Sequence, residues 1–333
     1  MTGNMVTIQG KKVGNIGFGL MGLTWRASKL SDEEIFAVIK AALDAGCNYF
    51  NGGEFYGPPD HNSLTVLKRY YDKYPEDVDK ILLNVKGCML PGLLADSSPE
   101  GVRASIENSV RLIGGKGRID QFEAARRDPK VDIEVTMKAM GEHIQAGDIR
   151  GIALSEVSAQ TIRRAAKVAK ITAVEVELSI WNTEPLENGV LEACTELDIP
   201  VLAYSPLGKG FLTGQVKSFD DIPEGDFRRM LPRFQPEVFE TNLRLVRKVE
   251  ELAARRGCTP AQFAINWVLA LSKRPGMPTI IPIPGASSPE RVCENAVERE
   301  LTEEDMADVE RIFKEFAPIG DRYHKHGMEL LDK

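Results

Sequence analysis

Residues 48–57, NYFNGGEFYG, run from a short apolar strand into a glycine-rich loop that carries Tyr56. A strand that breaks into glycines ahead of a helical pattern is the repeating unit of an α/β fold, and such folds place their chemistry at the carboxyl ends of their strands. Tyr56 lies at such an end and is the candidate catalytic acid. A phenol with an ordinary pKa of ~10 donates poorly at neutral pH unless a cation stabilises its phenolate. The next predicted strand, ILLNVKG at 81–87, ends on Lys86. If consecutive strands lie side by side in a parallel sheet, that ammonium reaches Tyr56. Taken singly, Tyr56 reads better as a half-buried loop residue and Lys86 as a solvated strand end; their shared position at strand ends favours chemistry.

Outward from this stretch the alternation is regular. Predicted strands fall at 15–22, 48–50, 81–85, 119–122, 151–154, 173–177, 200–203 and 279–282. Helical patterns follow at 31–45, 62–74, 99–112, 133–146, 159–169, 187–197, the pair 237–256 and 260–272, and 289–297. Eight β/α units predict one (β/α)₈ TIM barrel, a single domain over 1–333, with a doubly wound sheet as the alternative. Val6, Ile8 and Val13 flank Gln9-Gly10 as a β-hairpin cap ahead of the barrel. The loop after strand 7, at 207–236, is long and rich in glycine and proline, which suits an active-site loop. Beyond the barrel an extra C-terminal helix is predicted at 301–316, and 317–333 is expected to drape over the surface.

Composition narrows the function. The 333 residues are 43% hydrophobic and 27% charged, ordinary globular values, and the net charge of -7 argues against a broad nucleic-acid surface. Five scattered cysteines without CxxC spacing suit reduced thiols. The pair His324 and His326 has no cysteine or third histidine nearby, so no metal site is read there. The amino terminus lacks a secretory apolar run, and no stretch approaches the ~20 apolar residues of a membrane span. These features predict a soluble, cytoplasmic protein, with neither nucleic acid nor membrane as a partner.

Gly17, Gly19 and Gly22 spell GxGxxG, but the helix start comes only at Ser31, too late for the dinucleotide motif in which the third glycine lies within the helix. These glycines are expected to let the backbone turn tightly at the barrel mouth. Two other stretches suit phosphates. AYSPLGKGFLTG at 203–214 sets Tyr204 and Ser205 at a strand end ahead of a loop of exposed amides, and PIPGASSPERVCENA at 282–296 sets Ser287 and Arg291 at a helix start. Two phosphate-like sites on neighbouring strands imply one extended dinucleotide.

With these motifs the chain resembles an aldo-keto reductase over nearly its whole length. The family's second-strand pattern of acid, threonine, alanine and tyrosine-glycine corresponds to 51–57, with Tyr56 matching the proton donor and Lys86 the lysine that tunes it. The resemblance implies NADPH as cofactor. It assigns Tyr204 to stacking beneath the nicotinamide, and Ser155 to the carboxamide. Ser205, Leu207 and Gly210 would meet the pyrophosphate, and Ser287, Arg291, Glu294 and Asn295 the 2′-phosphate and adenine. Four positions depart from the family. Its catalytic aspartate is Asn51, its active-site histidine falls at Ala125, and its carboxamide-binding asparagine and glutamine fall at Glu156 and Glu175. Losing the aspartate removes an anion that would hold Lys86. These departures are most similar to the pyridoxal reductase branch, implying reduction of pyridoxal to pyridoxine. Trp25, Phe55, Phe122, Trp181 and Tyr323 are candidate pocket walls, with Trp25 and Phe55 preferred and Ala125 beside the substrate. Other readings are a reductase of a different aldehyde or ketone, a Schiff-base aldolase using Lys86, and a cofactor-binding regulatory subunit resembling potassium-channel β subunits.

Overall fold

The computed structural model describes residues 5–332. Gln9 and Gly10 both take positive φ (49° and 77°), the backbone of a two-residue hairpin turn, and they join Val6–Ile8 antiparallel to Lys11–Val13. Ile8 and Val13 pack against Tyr49, Leu82, Ala173, Leu202 and Ile281, so the hairpin seals the floor of the barrel that follows.

Eight parallel strands make that barrel: β1 (Phe18–Gly19), β2 (Tyr49–Gly53), β3 (Leu82–Gly87), β4 (Gln121–Ala124), β5 (Ile152–Ser155), β6 (Ile171–Glu177), β7 (Val201–Tyr204) and β8 (Ile280–Pro282). They pair in sequence order, and the seam between β1 and β8 is bridged where Gly17 N donates to Pro282 O (2.9 Å) and Gly19 N to Pro284 O (3.1 Å). A Cβ on Gly17 would sit 2.7 Å from Tyr49 O and 2.9 Å from Ile283 Cγ2. The expectation of a tight glycine turn at the mouth is therefore corrected. Neither Gly17, Gly19 nor Gly22 has positive φ, and the first two serve the close approach of strands at the seam.

The helices begin where the capping signals fall. Ser31 and Glu34 form a capping box ahead of α1 (Asp32–Asp44), and Asn62 caps α2 (Ser63–Lys73). Then come α3 (Pro99–Ile113), α4 (Ile133–Ala146), α5 (Ala159–Ala166), α6 (Val190–Glu196), α7 (Pro236–Arg255), α8 (Pro260–Ser272), α9 (Pro289–Asn295) and α10 (Glu303–Glu315). None of the helices among the described residues is long and apolar enough to cross a membrane.

Strand alternation divides the side chains between helices and lumen. Phe50, Val85 and Phe122 join the core under the helices, whereas Asn51, Lys86, Glu123 and Glu175 face inward. Three features depart from expectation. A small hairpin, Met89–Leu90 with Leu94–Ala95, follows β3. The long loop after β7 folds into short 3₁₀ turns that bury Phe211 and Phe234 against Trp181. The segment 317–332 does not simply drape over the surface: Arg322 is buried between Glu156 and Glu177, the carboxylates at the ends of β5 and β6.

Candidate active site

The loop after β2 is built to hold one ring. A Cβ on Gly53 would lie 3.0 Å from the Tyr56 ring, so a bare strand end lets the ring rest against it. Glu54 N donates to Lys86 O (3.0 Å), and the Glu54 carboxylate accepts from Ser105 and from Asn108 (2.7 Å) on α3. Thr24 Oγ1 (2.6 Å) and Ser63 N (3.2 Å) both donate to Tyr56 O. Gly57 turns the chain at φ +109°, where a Cβ would meet His61 O at 2.6 Å and Thr24 O at 2.9 Å. The backbone around Tyr56 is thereby fixed from three sides.

The expected convergence of Tyr56 and Lys86 is present. Lys86 Nζ lies 5.8 Å from the Tyr56 ring centroid and 5.2 Å from that of Tyr204. Burial pushes the Tyr56 phenol above its ordinary value, and the Lys86 charge works against that rise without overcoming it. The resting phenol is therefore protonated. Burial opposes the Lys86 charge, but the carboxylate of Glu175 holds its pKa above the ordinary lysine value. Lys86 is accordingly charged at neutral pH.

Beneath the pair, Lys86 Nζ donates to Glu175 Oε1 and lies 3.9 Å from Glu123 Oε1. Asn51 Nδ2 donates to the other Glu175 oxygen (2.6 Å), so both oxygens of Glu175 are already bound by protein. Glu156, just past the end of β5, accepts from Arg322 Nη2 (2.9 Å) and from Glu177 N (2.8 Å). Burial would raise the Glu156 pKa, but Arg322 and Arg126 bring it down to about 2.

At the end of β5, the buried Ser155 Oγ has no hydrogen-bond partner among the described residues. Tyr204 is half-buried at the end of β7. After it Ser205, Gly208, Lys209 and Gly210 all take positive φ, folding Leu207 and its neighbours into a tight loop. Ser288 Oγ caps the start of α9 beside the half-buried Ser287, and exposed Arg291 donates through Nη2 to Gln215 Oε1 (2.6 Å). That bond ties the second phosphate-suited stretch to the residue that follows the first. Glu294 is half-buried and Asn295 buried on the same helix.

Aromatic rings stand over the loop. Phe55 and Trp25 lie 5.0 and 5.9 Å from the Tyr56 ring by their centroids, and Trp25 is 42% exposed, open to a ligand. Ala125 is buried at the end of β4, its N–H on Gly87 O (3.0 Å). Phe122 and Trp181 are packing residues and not pocket walls, since one lies under the helices and the other within the cluster of Phe211 and Phe234. Tyr323 does reach the mouth, sharing a hydrogen bond with Tyr204 through their hydroxyls (2.8 Å).

Sequence reasoning passed over Glu123, Arg126 and Arg322. Glutamates at inward positions of β4 and β6 were the available signal, because a charge inside a fully buried strand demands a partner. Arg126 donates to Ala125 O (2.6 Å), with its guanidinium 5.6 Å from the Tyr323 ring centroid.

Comparison with known proteins agrees with this geometry. Residues 15–314 match the aldo/keto reductase family. A probable pyridoxal reductase of Schizosaccharomyces pombe is 40% identical, with 96% of this chain and 98% of that protein covered. A putative pyridoxal reductase of Saccharomyces cerevisiae is 39% identical, covering 92% and 95%. An aldo-keto reductase of Schizosaccharomyces pombe whose name specifies NADP(+) is 35% identical, covering 96% and 95%. In fold the chain is similar to a glycerol dehydrogenase from Gluconobacter oxydans, with a TM-score of 0.82 at 24% identity over 96% of this chain and 98% of the other.

Proposed function

The chain belongs to the aldo/keto reductase family, and we propose that it reduces an aldehyde at the expense of NADPH, converting pyridoxal to pyridoxine. The observation that carries the reading is the buried Tyr56 beside the buried Lys86, whose ammonium is paired with Glu175. Bound NADPH would supply the hydride. The orphaned Ser155 Oγ fits its carboxamide, the Tyr204 ring its nicotinamide, and the loop of Ser205, Leu207 and Gly210 its pyrophosphate. Ser287, Arg291, Glu294 and Asn295 would take the adenosine 2′-phosphate end.

Tyr56 then donates its proton to the forming alkoxide, and Lys86 stabilises the phenolate left behind. Such general acid catalysis typically contributes ~10²- to 10⁴-fold. Trp25 and Phe55 suit a flat aromatic substrate, while Ala125 leaves space where the family's histidine would stand. Arg126 is the cation next to that space. It suits an aldehyde that brings its own phenolic oxygen, as pyridoxal does, and the names of the two yeast relatives support the same substrate.

The test is NADPH oxidation by the isolated chain across pyridoxal, its 3-O-methyl ether and benzaldehyde, with the product identified. A hydrogen bond to a charged group contributes about 1.5–3 kcal/mol, so pyridoxal should lead in kcat/KM by roughly ten- to a hundredfold. Equal efficiency for all three would leave a broad reductase. No turnover with any aldehyde would point to the regulatory subunit.

A further inference from the structure

The lumen beneath Tyr56 holds two carboxylates and one lysine, all buried. Glu175 touches Lys86 with one oxygen and Asn51 with the other, whereas Glu123 lies 3.9 Å from Lys86 and neither of its oxygens has a hydrogen-bond partner among the described residues. Two ionised carboxylates sharing one cation would leave an uncompensated charge in a low-dielectric interior, so one of the two keeps its proton. Glu175 holds both donors, whereas Glu123 holds none, and burial together with Glu175 pushes the Glu123 pKa well up.

We propose that Glu175 is the positioning residue that holds Lys86 under Tyr56, supplying from β6 the anion that Asn51 no longer supplies from β2, with Glu123 neutral beside it. The proposal rests on the reading of Tyr56 and Lys86 as the acid and its cation. It also gives Glu175 a role other than contact with the carboxamide, since both its oxygens are in use. The arrangement conserves charge: an anion has moved across the barrel and an amide has taken its place. The Asn51–Glu175 hydrogen bond joins the two positions, so exchanging acid and amide would reverse its donor and keep the volumes.

The groups facing this cluster are Asn51 from β2, Asn84 and Lys86 from β3, Glu123 from β4, Tyr204 from β7 and Tyr56 from the loop; Tyr49 lies below and binds Gln121. An anion near Tyr56 raises its pKa, and its removal lowers it. Because the phenol must be protonated to act as an acid, losing the Glu175 charge should move the basic limb of the kcat profile to lower pH.

The experiment measures kcat against pH, and the NADPH Kd by fluorescence, for the parent, Glu175→Gln, Asn51→Asp and the double exchange Asn51→Asp/Glu175→Gln. Glu175→Gln is expected to lower kcat about ten- to a hundredfold and to shift the basic limb down by about one pH unit, for an effect worth roughly one tenfold step or more in the proton equilibrium. Its NADPH Kd should stay within about twofold of the parent, and the double exchange should recover most of both losses. Asn51→Asp alone sets a second anion against Glu175 and should not raise kcat. A rise in kcat for Asn51→Asp, or a Glu175→Gln variant changed only in NADPH affinity, would overturn the proposal and return Glu175 to the carboxamide. Should Glu175→Gln not fold, Asn51→Asp still decides between the two. Inactivity of the parent toward every aldehyde would instead defeat the proposed reaction.

Discussion

Arg291 is the residue on which cofactor choice should turn. It is exposed, and its guanidinium bonds Gln215 on the loop that follows β7, so a phosphate monoester could take the place of that neutral partner. A charged hydrogen bond contributes about 1.5–3 kcal/mol, so Arg291→Ala should weaken NADPH by roughly ten- to a hundredfold while leaving NADH unchanged. Titrating both cofactors checks this, and equal losses would make Arg291 structural. At this scale the sequence was readable where a residue sat at a strand end. Tyr56, Lys86 and Tyr204 all lie where their strands place them. Glu123 and Arg126 were not readable in the same way, because strand alternation tells which face a side chain takes and not which residue from a distant strand it meets.

Among the elements, the loop from Gly53 to Gly57 decides whether Tyr56 stands over Lys86. Gly57 takes φ +109° with two backbone oxygens within 3.0 Å of the place a Cβ would occupy, and backbone cannot swing aside as a side chain can. Gly57→Ala should cost about 1–3 kcal/mol of stability and also lower kcat by displacing the ring. Gly22→Ala is the control, since that position has nothing within 4 Å and no positive φ. Denaturant midpoints for both variants test the pair: a Gly57→Ala midpoint equal to that of the parent would contradict the steric account. Helix starts were legible because Ser31, Asn62 and Thr259 each sit as caps at the first turn. The fate of 317–332 was not legible. Its charges suggest a solvated tail, and the carboxylates of Glu156 and Glu177, brought together by β5 and β6, with Glu184 beside them, make burial of Arg322 favourable.

Across the whole molecule, the periodicity of eight β/α units was enough to specify the barrel, and the hairpin was readable from Gln9-Gly10 and its flanking apolar residues. The seam was not, since glycines needed for close approach and glycines needed for turning look alike in a sequence. The barrel unites these scales: an apolar floor under the hairpin, a charged middle layer around Lys86, and an aromatic mouth of Tyr56, Tyr204 and Tyr323. Under the proposed reaction this layering makes Tyr56 the proton donor. Single-turnover NADPH oxidation with pyridoxal, by the parent and by Tyr56→Phe, tests it most directly. The expected result is a rate ~10²- to 10⁴-fold lower for Tyr56→Phe with NADPH affinity retained; a Tyr56→Phe rate near that of the parent would contradict it.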